Sequence, residues 1–328
     1  MSGPLAVVTG ASGFVGSHVV DELLRQGIRV RCLVRASSPR DWLEGKPVEI
    51  LVIDMDDAGS LADAVRDAAW IVHAAGLTKG HSAAAFHEAN VAVTERMLRA
   101  ALAAGPALRR FVFISSQSVA GPSFDGIPVT EARPPAPVSP YGESKLRAEQ
   151  LVLQARGRLP VVVLRPPAVY GPRDRETLRY FLCAKWHLRL ELRRGGRFSL
   201  VHAGDLARAT VLAMTDERVL GGVFFVAGPD ITGYEEIGIL VARSMRTWAV
   251  RVVPPRWLLG AGAVMGDAFA TLVGKQAFLN PQKLREITGG DWIVSSARFR
   301  SLSGWEPRVP LEEGMESTAR WYREAGWI

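Results

Sequence analysis

A tyrosine and a lysine four positions apart have the residue types and the spacing of an acid/base pair. Tyr141 and Lys145 follow Ser139-Pro140, a combination that begins helices, so both side chains lie on one helix face. A free tyrosine has a pKa of about 10 and is a poor base at neutral pH. A neighbouring lysine ammonium favours the phenolate and lowers that pKa. The pair therefore predicts a general acid/base that moves a proton while a ketone or an alcohol exchanges a hydride.

Two serines follow a short apolar run that precedes this helix. Ser116 stands directly after the run Phe111–Ser115, and Ser118 stands two positions later. In a parallel sheet the ligand crevice lies outside the carboxyl ends of the strands. A hydroxyl there can hydrogen-bond a substrate oxygen and stabilise its developing charge. We expect Ser116 to be the third catalytic residue, with Ser118 as the competing candidate.

Three glycines near the start of the chain have the spacing of a phosphate-binding turn. They stand between an apolar run at Leu5–Thr9 and a helical pattern at Val15–Gln26. Glycine tolerates a tight turn, lets the backbone approach a pyrophosphate and lets the helix pack on the strand. The helix N-terminus then offers unpaired N–H groups and a partial positive charge to the phosphates. The predicted dinucleotide contacts of this loop are Gly10, Ser12, Gly13, Phe14, Val15 and Gly16.

The end of the second apolar run bears on which dinucleotide is bound. NAD-binding proteins place a carboxylate there, about 20 residues beyond the glycines, to bind the ribose 2′-hydroxyl. The segment Leu33–Arg40 contains no carboxylate, and Arg35 offers a planar guanidinium that suits a 2′-phosphate. We therefore expect NADP as the cofactor, with NAD possible. Arg40 and Ser12 would assist Arg35 in binding the 2′-phosphate. The alternative is that Arg35 only ends a strand in solvent.

Two further strand ends carry candidate cofactor contacts. Asp54 and Met55 would hold the adenine through a polar and an apolar contact, although Asp54 would equally suit a cap of its own loop. Ala74, Ala75 and Gly76 end the fourth predicted strand. Their small side chains would allow the chain to pass close to the cofactor.

These residues need a scaffold that brings strand ends together. The first half alternates apolar runs with helical patterns, which predicts an α/β fold: a doubly wound parallel sheet with helices on both faces. Nearly continuous apolar strands fit a sheet buried on both sides. We expect a sheet domain at residues 1–170, to which 199–228 return, and a smaller interleaved substrate-binding lobe at 171–198 and 229–328. The predicted strands are Leu5–Thr9, Ile28–Val34, Ile50–Ile53, Trp70–Ala74, Phe111–Ser115, Val161–Arg165 and Val223–Val226.

Taken in order, the motifs resemble those of the extended short-chain dehydrogenase/reductases, over nearly the whole chain. The resemblance is carried by Thr9–Gly16, Val72–Ala75, Asn90, Ser116, Tyr141 with Lys145, Arg165–Pro172, Val201–Asp205 and the C-terminal run from Leu302 to Tyr322. It implies a Rossmann sheet domain. It also implies a homodimer built on the long helices Phe86–Ala104 and Tyr141–Ala155.

The same resemblance implies roles for residues whose spacing alone assigns none. Asn90 would steady the active-site backbone. Pro166 and Val169 would lie near the nicotinamide. Asp205 would hold loops together rather than take part in the chemistry.

The subfamily is indicated by what the chain lacks. Nucleotide-sugar epimerases and dehydratases of this family carry an asparagine after the sixth strand, where this chain has Pro166–Ala168. They also tend to carry an arginine just before the His-x-x-Asp motif, where this chain has Phe198–Val201. The chain is more similar to 3β-hydroxysteroid dehydrogenases and dihydroflavonol-reductase-type ketoreductases. We expect an oxidoreductase with a mainly apolar substrate, and an NAD-dependent epimerase or dehydratase is the alternative. A non-catalytic NADP sensor would lack the Tyr/Lys pair.

Composition bounds the remaining possibilities. The chain has 328 residues, 48% hydrophobic and 22% charged, which is typical of a globular enzyme. Cys32 and Cys183 fit no metal-ligand or disulfide pattern, so we expect no metal site. Two unpaired cysteines and the lack of an export signal favour a location in the cytoplasm. The net charge is +7, but aromatic and basic residues are not interleaved as in nucleic-acid modules. We expect a small-molecule partner and no nucleic acid.

The longest apolar stretch, Trp257–Val273, is shorter than the roughly 20 residues that a membrane-spanning helix needs, and Asp267 interrupts it. We expect a helix packed on the body or over a substrate pocket, and peripheral membrane contact is left open. The candidate pocket residues are Trp186, Trp257, Leu258, Leu259, Val264, Met265, Phe269 and Phe278. Packing within the lobe, or a subunit contact, is the alternative.

Overall fold

The computed structural model describes residues 3–80, 82–272, 284 and 289–328. The strands are β1 Leu5–Thr9, β2 Arg29–Val34, β3 Glu49–Val52, β4 Ala68–His73, β5 Arg110–Ile114, β6 Val161–Arg165, β7 Ala168–Tyr170, β8 Leu188–Leu190, β9 Arg197–His202, β10 Val223–Phe225, β11 Ile231–Gly233 and β12 Val250–Val252. The α-helices are α1 Phe14–Arg25, α2 Ala58–Val65, α3 Ala83–Phe86, α4 Val93–Ala103, α5 Pro140–Gln154, α6 Leu178–Lys185, α7 Ala203–Thr215, α8 Tyr234–Ser244, α9 Arg256–Leu272, α10 Ala297–Ser303 and α11 Leu311–Glu324.

Seven parallel strands form the central sheet, in the order β10-β6-β5-β4-β1-β2-β3. The chain runs outward from β1 to β3 and then crosses back to β4 on the other side of β1. The loops after β1 and β4 therefore leave the sheet in opposite directions and open a crevice between them. The predicted doubly wound parallel sheet is confirmed, and the glycine turn lies at this crevice.

Successive residues of the strands pack into two separate cores. In β1, Ala6 and Val8 join the core formed with α1 and α7, whereas Leu5 and Val7 join the core formed with α2, α4 and α5. The strands β1, β4, β5 and β6 are buried at every position. This two-sided burial explains why the sequence shows continuous apolar runs instead of an alternating pattern.

The long helix predicted at Phe86–Ala104 is present but is not a single α-helix. It consists of α3, the π-helical segment His87–Ala92 and α4. A π-turn is wider than an α-turn and occurs frequently at functional sites. Here it contains Asn90, whose side chain is buried. Hydrophobic periodicity cannot reveal such a local widening, so the sequence predicted a regular helix.

The chain leaves the central sheet after β6. The strands β7, β9 and β11 form a second sheet, and β8 pairs in parallel with β12. The helix α7 returns to pack on α1, and β10 extends the central sheet beside β6. The assignment of residues 171–198 and 229–328 to a substrate-binding lobe stays a prediction. Within the described ranges, no helix combines the length and apolarity needed to cross a bilayer.

Candidate active site

The turn after β1 has no room for side chains at two of its glycines. Gly10 has a φ of +69°, in the left-handed region, and a Cβ there would lie 2.7 Å from the backbone nitrogen of Ala75. A Cβ on Gly16 would lie 2.1 Å from the carbonyl oxygen of Gly10. The loops after β1 and β4 thus touch across the crevice, and α1 packs directly against the turn.

The N-terminus of α1 has the features of a phosphate site. Gly13 is the N-cap and offers no side-chain acceptor, and the first turn contains no acidic residue. Unpaired N–H groups and the positive end of the helix dipole therefore favour an anion at this position. The predicted contacts Ser12, Phe14 and Val15 are half-buried around the turn. The residues present fit the pyrophosphate of a dinucleotide.

The predicted contacts at the adenosine end differ in their surroundings. Arg35 is exposed directly after β2, and its side chain pairs with no carboxylate of the described chain. Asp54 is exposed, and its Oδ1 accepts a hydrogen bond of 3.0 Å from the backbone nitrogen of Asp56. Met55 is buried in the core shared with α2 and α4. Asp54 therefore caps its own loop and Met55 contributes to packing, while their contacts with an adenine stay a prediction.

The helix α5 carries the Tyr/Lys pair and begins where the sequence predicts. Ser139 is its N-cap, and the Ser139 Oγ accepts a hydrogen bond from the backbone nitrogen of Gly142. Tyr141 is half-buried, with its ring centroid 6.0 Å from that of Phe86. Lys145 follows one helical turn later and is only 5% exposed.

The ammonium of Lys145 is fixed at the end of β5. Its Nζ donates a hydrogen bond of 2.7 Å to the carbonyl oxygen of Ile114 and lies 4.2 Å from the ring centroid of Phe113. Burial lowers the pKa of Lys145 to about 7, and the neighbouring carboxylate of Glu149 opposes this shift. The helix that carries Tyr141 is thus tied to the strand that ends at the candidate serines.

The two candidate serines lie together beyond β5. The Oγ of Ser116 accepts a hydrogen bond from the backbone nitrogen of Ser118 and donates one to the Oγ of Ser118, both at 3.2 Å. The backbone nitrogen of Gln117 donates to the carbonyl oxygen of Pro166 at 2.9 Å, which joins this loop to the end of β6. Both hydroxyls are half-buried, so the structure brings both candidates to the site and leaves the choice between them open. Val169 lies in β7, three residues beyond Pro166, and packs on the core with α1.

A buried ion pair positions the catalytic helix, and the sequence reasoning missed it. Glu149 accepts hydrogen bonds from Arg165 in β6 at 2.5 and 3.0 Å, and from the Oγ of Ser115 at 2.8 Å. Glu149 and Arg165 are almost completely buried. Two signals could have found the pair: Glu149 continues the i, i+4 spacing of Tyr141 and Lys145, and Arg165 ends an otherwise apolar strand.

A second buried network surrounds His73 at the end of β4. The Oγ1 of Thr94 donates to the carbonyl oxygen of Asn90, so it accepts from the Nε2 of His73 at 3.0 Å. The Nε2 of His73 therefore carries a proton, and in the neutral imidazole the Nδ1 accepts a hydrogen bond of 2.7 Å from the Oγ1 of Thr9. The Oγ1 of Thr9 also accepts from the backbone nitrogen of Ala75. Burial lowers the pKa of His73 to about 3, and the charge of Lys145 adds to the effect.

The side chain of Asn90 holds the loop that follows β4. Its Oδ1 accepts a hydrogen bond of 2.6 Å from the backbone nitrogen of Leu77, and its Nδ2 donates to the carbonyl oxygen of Leu77 and to the Oγ of Ser144. A Cβ on Gly76 would lie 3.0 Å from the Oδ1 of Asn90. These contacts agree with the role that the resemblance implies for Asn90, and they link the small-residue loop to α5.

The carboxylate of Asp205 also behaves as the resemblance implies. It accepts hydrogen bonds of 3.1 and 3.2 Å from the backbone nitrogens of Arg308 and Val309. It also pairs with the guanidinium of Arg208. Asp205 is fully buried and ties α7 to the segment before the C-terminal helix.

Curated relatives match over almost the full length of the chain. A ceramide reductase of Caulobacter vibrioides is 31% identical, covering 99% of this chain and 96% of its own. The 3 beta-hydroxysteroid dehydrogenase type 7 of Homo sapiens is 30% identical, covering 97% and 95%. A UDP-glucose 4-epimerase of Vibrio cholerae is 26% identical, covering 97% and 95%.

Solved structures and a family model agree with these relatives. The crystal structure of gox2253 has a TM-score of 0.82 at 26% identity, covering 99% of this chain and 100% of the other. A Thermus thermophilus UDP-glucose 4-epimerase in complex with NAD shares the fold, with a TM-score of 0.79 at 24% identity and coverage of 98% and 99%. The model of the NAD dependent epimerase/dehydratase family matches residues 6–227. The chain therefore belongs to this family of extended short-chain dehydrogenase/reductases and is an NAD(P)-dependent oxidoreductase.

Proposed function

We propose that the protein transfers a hydride between NADP and a secondary alcohol or ketone of a mainly apolar substrate. The observation that carries the proposal is the fixed Lys145 ammonium, one helical turn from Tyr141 and bound to the strand that leads to Ser116. This arrangement stabilises a phenolate and presents a hydroxyl at the same strand end. The names of two relatives, a ceramide reductase and a 3 beta-hydroxysteroid dehydrogenase, support redox chemistry on apolar compounds.

In this proposal each catalytic side chain has one task. When bound at the crevice, a nicotinamide would supply or accept the hydride. During reduction, Tyr141 gives its phenolic proton to the carbonyl oxygen, and the phenolate recovers a proton from solvent. Ser116, or Ser118 in its place, hydrogen-bonds the same oxygen while charge develops on it. Lys145 stabilises the phenolate through its positive charge, and oxidation of an alcohol uses these steps in reverse.

The preference for NADP rests on Arg35. Its guanidinium is exposed at the end of β2, where a ribose 2′-phosphate would lie, and the segment up to Arg40 offers no carboxylate to a 2′-hydroxyl. In Arg35→Ser, we expect the KM for NADPH to rise about 10- to 100-fold, because a charge-assisted hydrogen bond is lost. The KM for NADH should hardly change.

Arg29→Ser provides the matched control, since Arg29 begins the same strand at the opposite edge of the sheet. Equal effects of Arg35→Ser on both cofactors would contradict the assignment of the 2′-phosphate to Arg35.

An aromatic contact of β9 supports the apolar substrate. Phe198 occupies the place just before the His-x-x-Asp motif, and its ring centroid lies 5.0 Å from that of Tyr234. An arginine for a nucleotide phosphate is therefore replaced by an aromatic pair. A second candidate function is a nucleotide-sugar epimerase that retains NAD. The similarity to the UDP-glucose 4-epimerase of Vibrio cholerae is the observation that favours it.

One assay separates the two candidates. Purified protein is supplied with NADPH or NADH and either a series of apolar ketones or UDP-glucose. The proposal predicts oxidation of NADPH by the ketones and no conversion of UDP-glucose. Conversion of UDP-glucose without net cofactor turnover would establish the epimerase instead.

We also propose a homodimer through the helices α4 and α5, which light scattering on the purified protein would test. A cytoplasmic location is proposed as well, and the free cysteines Cys32 and Cys183 support it.

A further inference from the structure

The exposed side of α9 is apolar. Up to residue 266, the helix buries Leu259 and Ala263, which are one turn apart, against the rest of the molecule. On the other side, Trp257 and Met265 are 73% and 71% exposed. Packing within the lobe, one of the alternatives for these residues, would bury such side chains. Phe269 and Phe278 lie outside the residues whose side chains are described.

A second group of exposed apolar residues lies on the β8–β12 pair. Leu188 and Val250 are partners in the parallel register and are both exposed. Trp186 and Trp248 flank them and are 76% and 67% exposed. The ring of Trp248 stacks on His187 at a centroid distance of 4.1 Å, which holds the indole beside these strands.

The two groups are close together in the chain. The helix α9 follows β12 after residues 253–255, and three extended residues span only about 10 Å. We call Trp186, Leu188, Trp248, Val250, Trp257 and Met265 the aromatic surface. Exposed apolar side chains grouped in this way are typical of an interaction site.

Basic residues predominate around the aromatic surface, and the nearby carboxylates of Glu191 and Glu235 are paired with Arg251 of β12. Residues 178–190 and 245–266 contain no carboxylate, whereas they include Lys185 and Arg246. Both of these side chains are exposed and pair with no carboxylate of the described chain. A second copy of the same surface would bring like charges together and is disfavoured. An anionic partner is favoured.

We propose that the aromatic surface binds an anionic lipid bilayer. Tryptophan prefers the boundary between headgroups and acyl chains, and basic residues beside it are attracted to anionic lipids. The helix α9 lies along the bilayer rather than across it, with Trp257 and Met265 in the headgroup region. An apolar substrate would then reach the enzyme from the membrane, although the binding itself does not depend on the proposed reaction.

Vesicle sedimentation tests the proposal with the full-length protein. Vesicles of phosphatidylcholine and phosphatidylglycerol should pellet the protein, and vesicles of phosphatidylcholine alone should pellet much less. Binding should weaken as salt increases, because ionic attraction is screened. In the triple variant Trp186→Ser/Trp257→Ser/Met265→Ser, the bound fraction should fall about tenfold or more, since the buried apolar area is lost.

The control is Phe124→Ser, which removes a side chain that is 75% exposed in the loop between β5 and α5. This variant should bind vesicles like the unchanged protein, and retained circular dichroism would show that the triple variant is folded. Failure of the unchanged protein to pellet, or undiminished binding by the folded triple variant, would overturn the proposal. So would a change from dimer to monomer in the triple variant, which would identify a second copy as the partner. A protein that pelleted but showed no ketone reduction would contradict only the proposed function.

Discussion

At the scale of the residue, Tyr141 is the side chain on which the proposed chemistry depends. In Tyr141→Phe the hydroxyl is lost while the ring that faces Phe86 is retained. We expect kcat to fall about 10²- to 10⁴-fold, the usual contribution of a general acid/base, with little change in cofactor affinity. Steady-state kinetics and a cofactor-binding titration measure the two effects separately. Full activity in this variant would exclude Tyr141 as the proton donor.

The lowered pKa of His73 predicts that the folded protein loses stability as the pH falls. Its pKa is about 3 in the folded protein, compared with an ordinary value of 6.5, so the unfolded chain binds the extra proton first as the pH falls. Stability is therefore fully present above pH 6.5 and is lost progressively below it. His18, whose pKa burial lowers to about 4, acts in the same direction. Each histidine contributes a slope of about 1.4 kcal/mol per pH unit within this window.

Denaturant titrations between pH 5 and pH 6.5 test this, since carboxylates titrate mainly at lower pH. His73→Gln should reduce the slope by the contribution of about one proton. It should also lower kcat, because the hydrogen bonds that orient Thr9 and Thr94 are disturbed. An unchanged slope would mean that the folded protein protonates His73 readily.

At the scale of the element, the placement of α5 depends on a buried charge pair. Glu149→Leu would leave the guanidinium of Arg165 buried without a partner, and we expect a loss of about 3–5 kcal/mol in the free energy of unfolding. The double variant Glu149→Leu/Arg165→Met should recover much of this loss, since neither charge is then stranded. Chemical denaturation of all three proteins measures the coupling. Strictly additive losses would show that the two side chains act independently.

The secondary-structure elements also show which features the sequence could predict and which it could not. The strands and the glycine turn were predictable because their signals are local: apolar runs, and glycines at fixed spacing. The Glu149–Arg165 pair and the bond between His73 and Thr9 join residues 16 and 64 positions apart. Local signals can draw attention to each residue, but they do not specify its partner. The exposed side of α9 illustrates a different limit, because an apolar helix face does not reveal what covers it.

At the scale of the molecule, the site is assembled from most of the sheet. The glycines follow β1, Arg35 follows β2, the small residues follow β4, and Ser116 follows β5. The helix α5 then contributes the acid/base pair. Residues that lie far apart in the sequence meet because parallel strands end at one edge. The resemblance to a family implied this assembly, and the topology accounts for it physically.

The position of β10 has a consequence for synthesis of the chain. This strand covers the outer side of β6, but it follows β6 by 58 positions, counted from Val223 back to Arg165. While the ribosome is still making the intervening segment, the apolar residues Val161–Leu164 form an open strand edge. Such an edge can pair with another nascent chain. Between the emergence of β6 and the arrival of β10, the growing chain is therefore exposed to aggregation through this edge.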